Sequence, residues 1–241
     1  MSDLMSTGFV IALFAAMFRM VTPILFASMG LMVVERGGIL DLSIEGLMLI
    51  GALMGFAATY HTGSLWLGVL IAGLTGGAIS LLNSFLIVAL KMNQSVSGLS
   101  VNLLATGLSL YLFRVMFGRE GYVVPTVTTF SPLSIPFLSK IPVLGEIFFS
   151  QYALTYLAFI LAVVIWVFIY KTKYGLIIRC MGDNPHTVDT KGINVNLLHT
   201  LLLFFGGIMY GIGGAFLPLV STGMYVQGIT AGRGWIALVL V

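Results

Sequence analysis

The stretch from Gly46 to Leu90 contains no aspartate, glutamate, lysine or arginine. A helix needs about 20 mostly apolar residues to cross the hydrocarbon core of a bilayer, so this stretch is long enough for two crossings. The whole chain agrees, because 59% of its 241 residues are hydrophobic and only 8% are charged, whereas about a quarter of the residues of a soluble domain are charged. The sequence therefore predicts an all-α, polytopic transmembrane helical bundle.

Hydrophobic runs predict six spans, at residues 8–34, 43–60, 64–90, 94–117, 152–170 and 199–220. A further run begins near Trp235 and is unfinished at Val241, so this chain holds about six or seven spans. We expect one transmembrane domain over residues 1–241, with more spans beyond its C-terminus in the complete protein.

Two loops predict the orientation of the bundle. Residues 171–198 carry more basic than acidic side chains, and the positive-inside rule places such a loop in the cytoplasm. Counting spans backward puts Lys91 and the segment from Glu35 to Asp41 on the same side. The proline-rich loop at residues 118–150 and the N-terminus are then expected outside the cell. The net charge of +3 reflects this topology and does not indicate a nucleic-acid partner.

Two acidic residues interrupt the junction between the first two spans. If Asp41 begins the second helix, it caps that helix's first turn, and Glu45 lies one turn later on the same face, with Ser43 between them. A charge at the bilayer centre costs about 2.5–3.5 kcal/mol, so both acids should face protein, water or the interface. A capped turn neutralised by Arg36 and a direct role in transport are both possible.

Polar residues are also concentrated around the third and fourth spans, and the candidates are Asn83, Gln94, Ser97 and Asn102. Gln94, Ser97 and Val101 share a helical face, and Gly98 allows a neighbouring helix to approach. Such side chains either bond helices to one another or line a path for a polar solute. Pairs of glycines four residues apart are predicted to be packing contacts; they are Gly51 and Gly55, Gly73 and Gly77, and Gly207 and Gly211.

The basic loop contains two predicted short helices. Leu176, Ile177 and Cys180 fit one side of the first helix, which should end near Gly182. The second should begin near Asn184, with Pro185 at its first position. Helices of this kind need either the membrane surface of the same chain or a soluble partner to pack against.

Arg233 and Trp235 begin the last hydrophobic run. Arg233 could reach the lipid head groups beside Trp235, or it could contact a solute or pair with an acid inside the membrane.

Several catalytic classes lack their motifs. The chain has no GxxxxGK[ST] nucleotide-binding loop, and none of its three histidines lies in HExxH. The single cysteine excludes an internal disulfide. We expect no catalytic residue, no metal site and no cofactor in this chain.

Five ordered blocks resemble the permease subunits of ATP-binding-cassette (ABC) importers for nucleosides and simple sugars, the branched group that includes ribose- and galactose-type permeases. They are ERGGILDLSIEGLMLIGA, NQSVSGLSVNLLATGLS, IPVLGEIFFSQ, YGLIIRCMGDNPHTVDTKGINV and TAGRGWIAL, beginning at residues 35, 93, 141, 174 and 230. Together they extend over nearly the whole chain. One departure is Asp41, which stands where nucleoside-type members usually have Asn, and Asp-Leu-Ser resembles the ribose-type pattern.

The resemblance implies a multi-pass permease of the bacterial cytoplasmic (inner) membrane that is not itself an enzyme. ATP and Mg²⁺ would be bound by a separate ATP-binding subunit. A second permease subunit and an extracytoplasmic substrate-binding lipoprotein would complete the assembly in membrane lipid. The loop at 171–198 would couple to the ATPase through Gly175, Arg179, Gly182, Asn184, Pro185, Asp189, Gly192 and Ile193.

Two other classes remain open from the residues themselves. One is an intramembrane lipid-modifying enzyme that uses Asp41, Glu45 and Arg233. The other is an ion-coupled secondary transporter in which Glu45 titrates during the cycle.

Overall fold

The computed structural model describes residues 7–118, 125–134 and 150–241. Its helices are α1 Thr7–Arg36, α2 Ile44–Thr62, α3 Leu65–Ser84, α4 Gln94–Phe117, α5 Ala153–Lys171, α6 Lys173–Asp183, α7 Pro185–Asp189, α8 Val195–Phe216 and α9 Arg233–Val239. Helices α3 and α8 continue as π-helical turns over Phe85–Ala89 and Leu217–Thr222. Six of these helices, α1 to α5 and α8, are long and apolar enough to cross a membrane, which confirms the predicted polytopic bundle.

Most of the predicted external loop at 118–150, including the block that begins at residue 141, lies outside the described residues. The described part includes strand β1 (Pro132–Ser134), which pairs antiparallel with β2 (Ser150–Tyr152). Just before β1, the Phe130 amide donates to the Leu219 carbonyl at 3.0 Å. This part of the loop therefore covers the end of α8.

Helix α2 lies at the centre of the bundle. In the most apolar 18-residue stretch of α2, 72% is buried inside the bundle, whereas the corresponding value for α5 is 28%. Helix α2 packs against α3, α4 and α8. At the crossing with α8, a Cβ atom added to Gly51 would collide with the backbone of Gly211. The two backbones are in direct contact because neither residue has a side chain. This confirms the packing role predicted for both glycines.

Leucine at Gly51 should prevent native packing, because backbone atoms of α8 cannot move aside as a flexible side chain can. We expect Gly51→Leu to cost at least about 3 kcal/mol, at the upper end of overpacking penalties. The matched control is Gly107→Leu on α4, where an added Cβ meets nothing within 4 Å. Thermal melting in detergent should show a large loss for Gly51→Leu alone; equal losses would contradict the close crossing.

Candidate functional site

The segment between α1 and α2 enters the bundle without forming a helix. Its Leu40 amide donates to Gln94 Oε1 at 2.9 Å. Deeper along α4, Asn102 Oδ1 accepts from the amide of Gly46, which belongs to the first turn of α2. Asn102 thus binds an N–H group that the start of α2 leaves unpaired, and Gln94 binds one in the extended segment before it.

Asp41 lies in this segment and is fully buried. Its Oδ1 atom accepts from the Ser43 amide at 3.0 Å, the Ser43 hydroxyl at 2.6 Å and Asn83 Nδ2 at 3.0 Å. Asn83 Oδ1 in turn accepts from the Ser97 hydroxyl at 2.7 Å. The cluster therefore joins the entry segment to α3 and α4, and Ser43, Asn83 and Ser97 are buried with it.

The predicted cap on the first turn of α2 is wrong. The helix begins at Ile44 with Ser43 as its N-cap residue, and no side chain caps it from that position. Asp41 lies before the cap and instead bonds the amide two residues on, which is an Asx turn. The buried bond from Asn83 holds Asp41 in the extended segment, three residues before α2 begins at Ile44.

Tyr210 of α8 faces the other side of the Asp41 carboxyl. The two groups do not meet in hydrogen-bond geometry, and within the described part of the chain neither Asp41 Oδ2 nor the Tyr210 hydroxyl has a hydrogen-bond partner. Burial raises the pKa of Asp41, whereas the hydrogen bonds from Ser43 and Asn83 lower it. The net direction is upward because removal from water disfavours the charged form.

Glu45 points away from Asp41 toward the loop before α9. Its Oε1 atom accepts from the Thr230 hydroxyl and from the Gly232 amide at 2.8 Å, and Oε2 accepts from the Gly234 amide at 2.8 Å. Gly232 has a φ of +81°, a conformation that glycine adopts without a steric cost. The carboxyl group of Glu45 thus binds the start of α9.

Arg233 does not pair with Glu45. Its Nη1 atom donates to the carbonyls of Ile229 and Thr230 at 3.1 and 3.0 Å, so it closes the loop before α9. Trp235 is 37% exposed on the surface of α9. The sequence did not predict this bonding of Arg233 to backbone carbonyls.

The segment from Tyr225 to Val241 runs back along the bundle. Tyr225 packs against Phe56 of α2 and its hydroxyl lies 3.0 Å from that of Ser109, whereas Gly234 bonds to Glu45 at the other end of α2. Phe56 and Glu45 are eleven residues apart, which is about 16 Å along a helix. Val241 then lines a cavity with Glu35 and Arg36 at the end of α1. Residues 225–241 therefore follow α2 from Phe56 to Glu45, first as a loop and then as α9.

Helices α6 and α7 lie at one end of the bundle, which we call the basic end after Arg36, Lys91, Lys171, Lys173 and Arg179. Gly182 packs against the end of α1, where an added Cβ would collide with the Arg36 carbonyl. His199 Nε2 lies 3.1 Å from the Gly37 carbonyl. Helix α6 and the beginning of α8 are thereby anchored on the junction between α1 and α2.

The structure shows which residues of α6 are buried within the chain. Ile178 and Met181 are buried together with Gly175, whereas Leu176 and Cys180 are exposed. The sequence pattern did not reveal that α6 would pack against α1 and α5. The side chain of Arg179 lies over the Tyr170 ring, 5.3 Å from its centre.

The predicted start of α7 is confirmed. Asn184 is its N-cap and accepts from the His186 amide at 3.1 Å, with Pro185 at the first position. Asp189 lines a polar cavity of about 300 Å³ together with Lys91. The remaining predicted coupling residues belong to the link to α8, where Gly192 has a φ of +77° and Ile193 packs on the main core.

Sequence reasoning missed Tyr210 and Thr230. Tyr210 lies in a hydrophobic run with no polar neighbour, so only the packing of α8 reveals that it faces Asp41. Thr230 precedes the Ala-Gly-Arg-Gly sequence, which signals a turn, but its partner Glu45 is 185 residues away. Neither the position of Tyr210 beside Asp41 nor the bond from Thr230 to Glu45 can be predicted from the spacing of nearby residues.

A helical bundle with non-helical segments inside it is a recurring architecture of membrane transporters. The comparison with protein families defines the class further: the chain belongs to the family of the branched-chain amino acid transport system permease component, whose family model matches residues 13–241.

Three relatives are similar over most of the chain. A putative glucose ABC transporter permease protein of Haloferax volcanii is 38% identical over 97% of this chain and 70% of its own length. A nucleoside ABC transporter permease protein of Lactococcus lactis is 34% identical, and a guanosine ABC transporter permease protein of Bacillus subtilis is 33% identical, each over 90% of this chain and 70% of the relative. No solved structure matches the chain.

Replacing Asn83 by leucine should destabilise the bundle, because it leaves the Ser97 hydroxyl without an acceptor and removes one donor from Asp41. Leaving buried polar groups unpaired costs about 1–3 kcal/mol. Asn196→Leu is the control, since Asn196 is exposed on α8. Melting temperatures in detergent should fall only for Asn83→Leu; an unchanged value would show that the buried cluster does not hold the helices together.

Proposed function

We propose that this chain is the membrane-spanning permease subunit of an ABC importer for nucleosides or related simple sugars, in a bacterial cytoplasmic membrane. The observation that carries this proposal is the exposed, non-helical segment between Tyr225 and Gly232, which packs beside α2. This polar loop lies beside α2 at membrane depth and exposes backbone atoms there. The similarity to permeases named for glucose, nucleosides and guanosine supports the solute class.

Exposed loop backbone limits what can surround this face. Val226, Gly228 and Ala231 are exposed and non-helical, although they lie between the levels of Phe56 and Glu45 on α2. Backbone groups cannot face lipid tails without hydrogen bonds, so irregular backbone at this depth must be covered by protein or line a water-filled cavity. A path for a polar solute, closed on its far side by a second permease subunit, meets both conditions.

The candidate path residues divide by their exposure. Asp41, Ser43, Asn83 and Ser97 are buried and bonded to one another, and Asn102 caps α2, so these residues shape the wall of the path. Glu45 holds the start of α9. Gln94, Arg233 and Trp235 are partly or fully exposed, and we infer that a solute meets this group.

The basic end is proposed as the docking surface for an ATP-binding subunit, which would hold ATP and Mg²⁺ and hydrolyse the nucleotide. Tyr174 and Leu176 expose large apolar side chains on α6, and the anchoring of Gly182 on Arg36 transmits a push on α6 to the end of α1. Closure of two ATPase subunits would then alternate access to the path. An extracytoplasmic binding lipoprotein would deliver the solute from the opposite end.

Cysteine at Ala231 should report a water-filled path. In a variant that also carries Cys180→Ser, the cysteine of Ala231→Cys should react with a water-soluble thiol reagent. Contact with water allows the thiol to ionise, and the thiolate is the reactive form. The reaction should also block uptake of a labelled nucleoside or hexose by the assembled importer. Labelling is followed by mass spectrometry in proteoliposomes.

Leu103→Cys is the matched control, because Leu103 is 73% exposed on the face of α4 but belongs to an apolar helix surface. A lipid-facing thiol should react slowly and without effect on uptake. Equal labelling rates at the two positions would contradict a path beside the loop.

Removing apolar side chains from α6 should weaken binding of the ATP-binding subunit. Tyr174 is 65% and Leu176 is 53% exposed, and neither contributes to the buried side of α6. We expect the double variant Tyr174→Ser, Leu176→Ser to bind about tenfold more weakly, a loss of about 1.4 kcal/mol. Pull-down or light scattering with the purified ATPase subunit measures the change.

The control removes a similar apolar surface at the opposite end of the bundle. Trp66 and Leu67 of α3 are 55% and 46% exposed, and Trp66→Ser, Leu67→Ser should leave ATPase binding unchanged. If the α6 variant binds as tightly as the wild type, the basic end is not the docking surface.

A further inference from the structure

Two buried oxygen atoms face each other across the boundary between the entry segment and α8. They are Asp41 Oδ2 and the Tyr210 hydroxyl, and within the residues that the structure describes each lacks a hydrogen-bond partner. Both side chains are fully buried. Buried polar groups without partners are rare in native proteins and call for an explanation.

Among the described residues, the groups that act on the Asp41 carboxyl are Ser43, Asn83 and Tyr210, and all three are uncharged. A buried carboxylate is strongly disfavoured unless a positive charge or a full set of hydrogen bonds offsets the loss of water. Here the donors all converge on Oδ1, and Oδ2 has none.

We propose that Asp41 is a proton-binding site in this conformation, with the proton on Oδ2 and directed at the Tyr210 hydroxyl. The acid is then electrically neutral, and Oδ1 keeps its three donors. Oδ2 becomes a donor, and the tyrosine oxygen is an acceptor, so a small adjustment pairs the two orphaned atoms. The upward shift that burial gives the pKa of Asp41 agrees with this assignment.

Other titratable groups border the same region. Glu35 at the end of α1 lies close enough to Tyr210 to interact electrostatically with it. His199 of α8 contacts the Gly37 carbonyl. From α2, Glu45 turns away to the loop before α9, and Arg233 of α9 bonds to that loop's carbonyls. Helices α3 and α4 present only uncharged groups, Asn83 and Ser97.

Glu45 provides the contrast. Both of its oxygens accept hydrogen bonds, two of them from backbone amides at the start of α9, which is an arrangement suited to a carboxylate. The substitution Glu45→Gln would direct the new side-chain N–H group at a backbone N–H donor. The substitution Asp41→Asn would instead preserve the hydrogen bonds of the proposed protonated acid, because Oδ1 still accepts and Nδ2 donates to Tyr210.

The test compares Asp41→Asn with Glu45→Gln in the full chain, by thermal melting in detergent. We expect Asp41→Asn to change the melting temperature by less than about 2 °C near pH 5, and Glu45→Gln to lower it by more than that. A large loss for Asp41→Asn with little loss for Glu45→Gln would overturn the assignment.

The pH dependence has a definite sign. The folded protein retains a proton that the unfolded chain releases above the ordinary carboxyl pKa of about 3.9. Wild-type stability relative to Asp41→Asn should therefore fall as the pH rises, until the pKa of the folded state is passed. The difference in stability between the wild type and Asp41→Asn cancels the pH-dependent contributions that His199 and Glu35 make equally to both proteins. A difference that stays constant or grows with pH would contradict a bound proton.

Infrared spectroscopy of the wild type keeps the proposal testable if Asp41→Asn does not fold. A protonated carboxyl has a C=O stretch that a carboxylate lacks, and it should persist in Glu45→Gln, which keeps Asp41. Absence of that band would overturn the proposal. So would stabilisation of the wild type by sodium but not by choline chloride, since the carboxylate would then be neutralised by a bound cation. Neither result bears on the transported solute or on the ATPase, so failure here leaves the proposed function standing.

Discussion

Helix starts inside this bundle are bonded by side-chain oxygens from neighbouring elements. A helix leaves its first N–H groups unpaired, and in a membrane no water is present in the hydrocarbon to pair them. Asn102 of α4 accepts from the start of α2, and Glu45 of α2 accepts from the start of α9. Gln94 does the same for the extended segment at Leu40. The discontinuities of the fold depend on these bonds.

Close backbone packing makes such bonds possible. Side chains as short as those of Asn102 and Asn83 reach a neighbouring backbone or carboxyl only when the helices approach closely. Glycine supplies that approach where Gly51 crosses Gly211, and an added Cβ at Gly46 would collide with Asn102 and its backbone. The glycines and the buried hydrogen bonds therefore depend on each other. The small residues bring the helices together, and the buried oxygens fix where each helix begins.

The spans could be predicted because lipid imposes a simple rule on composition and length. Glycine pairs were predictable for the same reason, since a four-residue spacing repeats on one helix face. The start of α7 could also be predicted, because Asn184 and Pro185 act through local geometry. These features depend on neighbours in sequence.

The rest depends on contacts between distant residues. Local spacing placed Asp41 as a helix cap, but its buried bond to Asn83 crosses 42 residues. The hydrophobic pattern of α6 did not identify Ile178 and Met181 as its buried residues, because α1 and α5 determine which face is covered. Tyr210 had no polar signal at all. The roles of the candidate path and coupling residues in transport stay predictions, since geometry fixes their contacts and not their use.

The different bonding of the two acids constrains how the bundle can move. Helix α2 cannot shift along α8 without separating the glycine backbones at Gly51 and Gly211, and Asp41 ties its entry segment to α3. The loop before α9 is bonded to α2 through Glu45 and has exposed residues on its other side. Rearrangement of this loop would break a few hydrogen bonds, whereas displacement of α2 would disrupt the packed core. A conformational change at this face of the bundle is therefore least costly when the loop moves and α2 stays fixed.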